Sequence, residues 1–196
     1  MMKVRFAVLA MTVATCAVST LGAQGAMSVA PSGRATTEVV LTLVDSAARA
    51  AAKPSIIRID YGQPHLRGRR MFTDSLVPYD KPWRLGANTP TMLTTDVDLV
   101  IGGAPVPKGK WILQAIPGRT GWKLLVQKDM SGTPAADAGY NPANDIARID
   151  LRGMTLSSPV ESLTMWLIPS RDAGKPKGEL RLAWGTTALA TDWSMK

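Results

Sequence analysis

Short runs of alternating apolar and polar residues, separated by Gly and Pro, dominate this chain. Successive side chains of a β-strand point to opposite faces, so strict alternation predicts strands with one buried face. One such run places Ile57, Ile59 and Tyr61 on the same face, with charged residues between them. No long segment repeats apolar residues at helical spacing, which excludes a helical bundle.

The pattern predicts an all-β fold, an antiparallel β-sandwich of jelly-roll type with eight or nine strands and little helix. Glycine-containing turns join the third, fourth and fifth runs as consecutive strands, and the fourth run is apolar on both faces, as in a central strand. The alanine-rich segment 45–54 is compatible with a turn of helix or a loop, and 129–145 is a surface loop. The predicted strands are 38–43, 55–61, 92–101, 110–117, 122–128, 145–151, 162–168 and 179–189.

Residues 1–25 are typical of a secretory signal peptide, in which Lys3 and Arg5 precede an apolar run and small residues. That run is shorter than the about 20 residues needed to span a bilayer, and no later segment is long enough. The only cysteine, Cys16, lies in this segment, so the rest of the chain forms no disulfide. We expect an exported bacterial protein, periplasmic or extracellular. The alternative is a lipoprotein anchored through Cys16.

The signal peptide is expected to precede a segment, 26–54, that contains a possible first strand, and one β-sandwich domain over 55–196. Residues 26–196 contain 21 cationic and 15 acidic side chains, a net charge of +6. Such a surface favours anionic partners, including phosphates, acidic glycans and lipid headgroups. We expect an anionic small molecule or glycan as ligand, no cofactor and no nucleic acid.

The segment 61–88 concentrates cations, prolines and aromatics between two predicted strands. Connections of this length are usually functional or tightly packed. Converging guanidinium groups would hold a carboxylate or phosphate bidentately, whereas the alternative is a solvated cationic loop. The candidate ligand-binding residues are His65, Arg67, Arg69, Arg70, Arg84 and Asn88.

His65 is the only histidine, which excludes a three-histidine zinc site and restricts any Ser-His-Asp triad to this residue. An enzyme would combine it with Asp60 or Asp74 and an arginine clamp, whereas a purely structural His65 would bond to backbone. Asp96 and Asp98 offer too few oxygens for calcium. The chain lacks HExxH, GxSxG and phosphate-loop motifs, so we predict no metal site and no catalytic residues.

The tryptophans offer a second route to ligand binding, since indole rings can stack on sugar faces. Trp111, Trp122 and Trp184 fall on predicted inward faces, where large aromatics contribute to the core. Trp166 alternates with apolar residues of the opposite face, so it is the candidate for an exposed platform or interface.

The motifs GRRMF, LVPYDKPWRLGAN, DVDLVIGG, VPKGKWILQAIP and GWKLLVQK occur in an order that resembles a family of secreted bacterial proteins, domain of unknown function 2911, over residues 55–193. The resemblance implies an exported β-sandwich without assigned activity, substrate or cofactor. Gly62 and Gln63 stand where the family has a serine and an arginine, which would weaken an anion site that uses that arginine. The matching positions are Gly68, Arg69, Val77, Pro78, Trp83, Arg84, Gly86, Ala87, Asn88 and the Val106–Gly109 turn.

We therefore expect a non-enzymatic module that binds an anionic or glycan component of the bacterial envelope through segment 61–88. Two alternatives stay open: a hydrolase-like enzyme built on His65, and a structural envelope protein whose long segment supports the sandwich. A concave pocket lined by His65, Arg67, Arg69, Arg84 and Asn88 would separate these hypotheses, because binding and catalysis lose their main support if those side chains point apart.

Overall fold

The computed structural model describes residues 26–73, 76–130 and 140–196; the expected signal peptide and Asp74 lie outside these ranges. The described residues form nine antiparallel strands, the short helix α1 (Ser46–Ala51) and a 3-10 turn (Pro142–Asn144). The all-β prediction is therefore confirmed. The strands are β1 (Ser32–Leu41), β2 (Ser55–Pro64), β3 (Thr91–Thr95), β4 (Leu99–Ile101), β5 (Ala104–Val106), β6 (Gly109–Pro117), β7 (Trp122–Lys128), β8 (Asp145–Pro169) and β9 (Lys177–Met195).

The nine strands form one continuous sheet in the order β1-β2-β3-β6-β7-β8-β9-β4-β5. The register between β8 and β9 shifts between Thr155 and Thr164, where bulges bend a hairpin too long to stay flat. β9 coils so far that the N–H of Met195 donates to the carbonyl of Pro176, just before the strand begins (2.7 Å). The sheet therefore folds over itself in a sandwich-like arrangement and encloses a hydrophobic core.

The predicted strand 92–101 is two strands, β3 and β4, which pair with different neighbours. Apolar and polar residues alternate through both strands, as predicted. The two aspartates lie between the strands, however, and their carboxylates accept hydrogen bonds from backbone groups. The carboxylate of Asp96 accepts from the N–H of Ile56 (2.9 Å), and that of Asp98 accepts from the N–H of Lys108 (2.8 Å). These contacts hold the turn through which the chain passes from β3 to β4.

Side chains of β1 and β2 cover the free edge of the second half of β8. The phenol oxygen of Tyr61 accepts from the N–H of Met165 (3.1 Å), and the hydroxyl oxygen of Thr37 accepts from the N–H of Leu167 (3.0 Å). An uncovered strand edge exposes a row of unpaired backbone groups. The side chains of Tyr61 and Thr37 therefore accept hydrogen bonds from this edge of β8 in place of a neighbouring strand.

The segment between β2 and β3 is packed into the core. Met71, Val77, Trp83 and Leu85 are buried. Trp83 forms two backbone hydrogen bonds with Ala115 of β6, as a strand residue would (2.7 and 2.8 Å). These four described residues of the connection are therefore tightly packed against the core.

The tryptophans divide as their faces predict. Trp122 and Trp184 are buried in the core, and Trp111 is partly buried with its indole N–H donating to the carbonyl of Pro107 (2.8 Å). Trp166 is 38% exposed on the outer face of β8. Stacking of Trp83 on Trp184, with ring centroids 5.9 Å apart, fastens the long segment to β9.

Candidate functional site

Residues 65–70 form a turn directly after β2, called here the cationic turn, and its residues 67–70 are exposed. Its start is tied to β8, because the N–H of Leu66 donates to the carbonyl of Glu161 (2.8 Å). Arg67 and Gly68 adopt φ values of 50° and 74°, in the left-handed region that reverses the chain. The carboxylate of Glu161 accepts from the N–H of Arg67 (2.6 Å), which holds this uncommon conformation in place.

Arg69 holds the turn together through neutral acceptors. Its Nε donates to the carbonyl of Leu66 (3.0 Å), and its terminal nitrogen donates to the carbonyl of His65 (2.6 Å). Carbonyl oxygens orient a guanidinium group without neutralising its charge. The side chain is therefore oriented and exposed, and its charge is not paired with a carboxylate of the described residues.

The two arginines on either side of Arg69 add to this charge. The guanidinium of Arg67 makes longer contacts with the carbonyls of Val29 and Ala30 (3.3 and 3.2 Å), and Arg70 is exposed. Within the described ranges, none of the three arginines forms an ion pair with a carboxylate. The turn is thus a compact cationic surface, and the carboxylate of Glu161 contacts its backbone.

His65 lies opposite Ser162 in an isolated antiparallel bridge, with Nδ1 2.7 Å from the serine Oγ. Asp60, one proposed carboxylate partner, accepts instead from the hydroxyl of Thr36 (2.6 Å). It also points to the other face of β2, because side chains alternate along a strand. Asp74, the other proposed partner, lies outside the described residues.

Sequence reasoning missed Ser162 and Glu161. They stand 97 and 94 positions from the residues of the cationic turn that they contact. Both lie in a run of ordinary strand character, so no local signal marked them. Only the folding of β8 against the end of β2 brings them to the turn.

Arg84 and Asn88 belong to a second turn, residues 84–88. The guanidinium of Arg84 donates to the carbonyl of Asn88 (2.9 Å), and the Asn88 amide donates to the carbonyl of Ser32 (3.3 Å). The N–H of Ala87 donates to the carbonyl of Gly62, which fastens the turn to β2 (3.1 Å). Here too the arginine is tied to a neutral carbonyl.

The second turn packs on one face of β2. A Cβ added to Gly62 would lie 1.8 Å from the carbonyl oxygen of Ala87, so the second turn occupies the face to which position 62 points. Gln63 and His65 project to the opposite face, where the Gln63 amide donates to the carbonyl of Leu163 (2.9 Å). The structure therefore places His65, Arg67, Arg69 and Arg70 in one turn and Arg84 and Asn88 in another. Both turns contact the segment 29–32 at the start of β1.

A charged cleft of about 610 Å³ lies between the tip of the β8–β9 hairpin and the end of β9. The side chain of Arg152 lies close to this cleft. One of its terminal nitrogens is 2.8 Å from the carboxylate of Asp192 and 3.4 Å from that of Glu179. Glu179 also forms an ion pair with Arg181. The hydrogen bond from Arg152 holds the pKa of Asp192 below its usual value. The charges satisfy one another, so this cleft offers less unpaired charge than the cationic turn.

Neither a metal site nor a membrane-spanning helix is found in the part of the chain that the structure describes. No three His, Cys, Asp or Glu side chains cluster there in a way that would hold a metal ion. None of its helices is both long and apolar enough to cross a bilayer.

Fold and site together define an all-β, sandwich-like protein with an exposed cationic turn. The chain belongs to the family described as Protein of unknown function (DUF2911), whose model matches residues 45–192. This match confirms the resemblance found from the motifs and begins ten positions earlier than residue 55, so it includes α1. Comparison with curated proteins and with solved structures found no match.

Proposed function

We propose that this protein is exported to the bacterial envelope and binds an anionic ligand at the cationic turn, without catalysing a reaction. One observation carries the proposal: the guanidinium of Arg69 is held by the carbonyls of His65 and Leu66 and by no carboxylate of the described residues. Export is supported by the sequence of residues 1–25, and an anionic ligand is supported by the net charge of the remaining chain.

A guanidinium held in this way suits anion binding for two reasons. Its charge is available, and little rotamer entropy is lost when a ligand binds because the side chain is already oriented. Arg67 and Arg70 lie beside it in sequence and are exposed. Phosphate or carboxylate oxygens would accept charge-assisted hydrogen bonds from these groups. Phosphorylated polymers and acidic glycans of the envelope present such oxygens.

Calorimetric titration of the purified protein with inorganic phosphate and with galacturonate tests this site. The variant Arg67→Ala/Arg70→Ala removes two exposed cations, of which Arg67 makes only the longer contacts with the carbonyls of Val29 and Ala30. We expect its affinity to fall at least about tenfold, since hydrogen bonds to charged groups contribute about 1.5–3 kcal/mol. The control Arg171→Ala/Lys175→Ala removes the same charge from an exposed loop elsewhere. Equal losses in both variants would show only a general charge effect.

The contact between His65 and Ser162 favours a hydrolase as the second candidate. Its geometry resembles a nucleophile and base in hydrogen-bond reach, at 2.7 Å. However, residues directly opposite on neighbouring strands are expected to touch, and no carboxylate of the described residues contacts the ring. A fluorophosphonate probe distinguishes the two readings. Labelling that is lost in Ser162→Ala would establish the hydrolase and remove the binding proposal from this turn.

A further inference from the structure

A second cleft, of about 350 Å³, lies beside α1 and the first residue of β2, at the opposite end of that strand from the cationic turn. Its volume falls within the range of small-molecule sites, about 300–1,000 Å³. The end of β1, α1 and the start of β2 form one wall, and residues of the β3–β4 turn and of β9 form the other. The apolar lining includes Leu41, Leu43, Val44, Pro54, Val97 and Met195.

The lining is aliphatic, since no aromatic side chain contributes to it. Planar rings and sugars bind by stacking on aromatic side chains, so a lining without aromatic side chains disfavours those ligands. Aliphatic walls suit a flexible hydrocarbon chain, whose burial contributes about 0.8 kcal/mol for each CH₂. The chemistry of the walls therefore indicates an alkyl chain as the occupant.

The charged residues that line this cleft are both cationic, Arg49 and Lys53. The guanidinium of Arg49 donates to the carbonyls of Leu43 and Val44 (2.8 Å each), which orient it without neutralising it. Lys53 is exposed. An apolar cleft bordered by two cations is complementary to an alkyl chain that ends in a negative headgroup.

Two neighbouring apolar side chains at the rim of the cleft are strongly exposed. Val44 is 93% exposed and Leu43 is 51% exposed. Single exposed apolar residues need no explanation, but adjacent ones at the mouth of an apolar cleft extend its surface. A bound chain would cover part of this surface.

We infer that this cleft binds one molecule of a single-chain anionic amphiphile, such as a fatty acid or an alkyl phosphate. The hydrocarbon chain lies between the aliphatic walls, and the headgroup pairs with Arg49 and Lys53. This site is separate from the cationic turn, so either site can be lost without the other.

Calorimetry with dodecyl phosphate, below its micelle concentration, tests the inference. We expect dodecyl phosphate to bind, and inorganic phosphate and dodecyltrimethylammonium to bind at least tenfold more weakly. Leu43→Asp and Lys53→Glu should each weaken dodecyl phosphate binding at least tenfold, because they place a negative charge in the chain or headgroup site. Both positions are exposed, so folding should be retained. Met154→Asp, at an exposed apolar position 67% accessible on β8, is the control and should bind as before.

Three results would overturn the inference. Equal affinity for the anionic and cationic amphiphiles would remove the role of the two cations. Unchanged binding in Leu43→Asp and Lys53→Glu would place the amphiphile elsewhere. Sedimentation with anionic phospholipid vesicles, without binding of monomeric dodecyl phosphate, would show a membrane-docking surface instead of a chain-binding cleft.

Discussion

The substitution Gly62→Ala should destabilise the protein strongly, because β2 has no room for a methyl group at this position. The added Cβ would lie 1.8 Å from the Ala87 carbonyl oxygen, whereas real Cβ atoms are not found closer than 3.0 Å to another heavy atom. The second turn must therefore move by more than about 1 Å, because the obstacle is backbone and cannot rotate away.

The magnitude follows from three contributions. Overpacking costs about 1–3 kcal/mol, and weakening the hydrogen bond from Ala87 to Gly62 costs about 1 kcal/mol more. Replacing glycine restricts the unfolded chain, which returns about 0.4–1 kcal/mol. We expect a net loss of about 1–3.6 kcal/mol in the free energy of unfolding. This corresponds to a fall in Tm of about 2–14 °C for a domain of this size.

Urea denaturation followed by tryptophan fluorescence measures this loss. Gly33→Ala is the matched control, since Gly33 lies opposite Gln63 on β1 and its added Cβ would have no heavy atom within 4 Å. That variant should be neutral or slightly stabilising. If the two variants differ by less than about 0.5 kcal/mol, the close approach of the second turn to β2 is not a constraint, and the reasoning fails.

Other expected outcomes concern the covered edge of β8 and the packed segment. Tyr61→Phe should lower stability by about 1–3 kcal/mol in urea denaturation, because the buried N–H of Met165 loses its acceptor. Burial raises the pKa of Tyr61 above 10.0, so the phenol loses its proton at lower pH in the unfolded chain than in the folded protein. The free energy of unfolding should therefore stay constant below pH 10 and decrease above it. The decrease should be less steep in Tyr61→Phe. Trp83→Ala should cost about 3–5 kcal/mol in the same assay, whereas Trp166→Ala, on the outer face, should cost under half as much.

The strands were predictable wherever one face is buried. Ile57, Ile59 and Tyr61 alternate in sequence and are all buried, because a one-residue shift would expose every one of them. The break between β3 and β4 was not predictable, since the apolar alternation runs through it. It depends on the hydrogen bonds of Asp96 and Asp98 with backbone groups that lie 40 and 10 positions away in sequence.

The sequence indicated which types of residue could bind a ligand, but it did not indicate which of them lie side by side in the fold. Cations, histidine and asparagine in one segment suggested a shared pocket, but proximity in sequence does not give a common face. Gly62 shows why, because position 62 and position 63 point to opposite sides of β2. The second turn packs on one side, and the contact between His65 and Ser162 forms on the other.

The sequence by itself determined the all-β class, the family and the positive charge of residues 26–196, because periodicity, motif order and composition are local properties of the chain. Tertiary structure alone decided the coiling of the β8–β9 hairpin, which sets Ser162 against His65 and Glu161 against Arg67. The physical reason is the same in both cases. Hydrogen bonds and van der Waals contacts act over a few ångströms, and only folding brings residues about 100 positions apart within that distance.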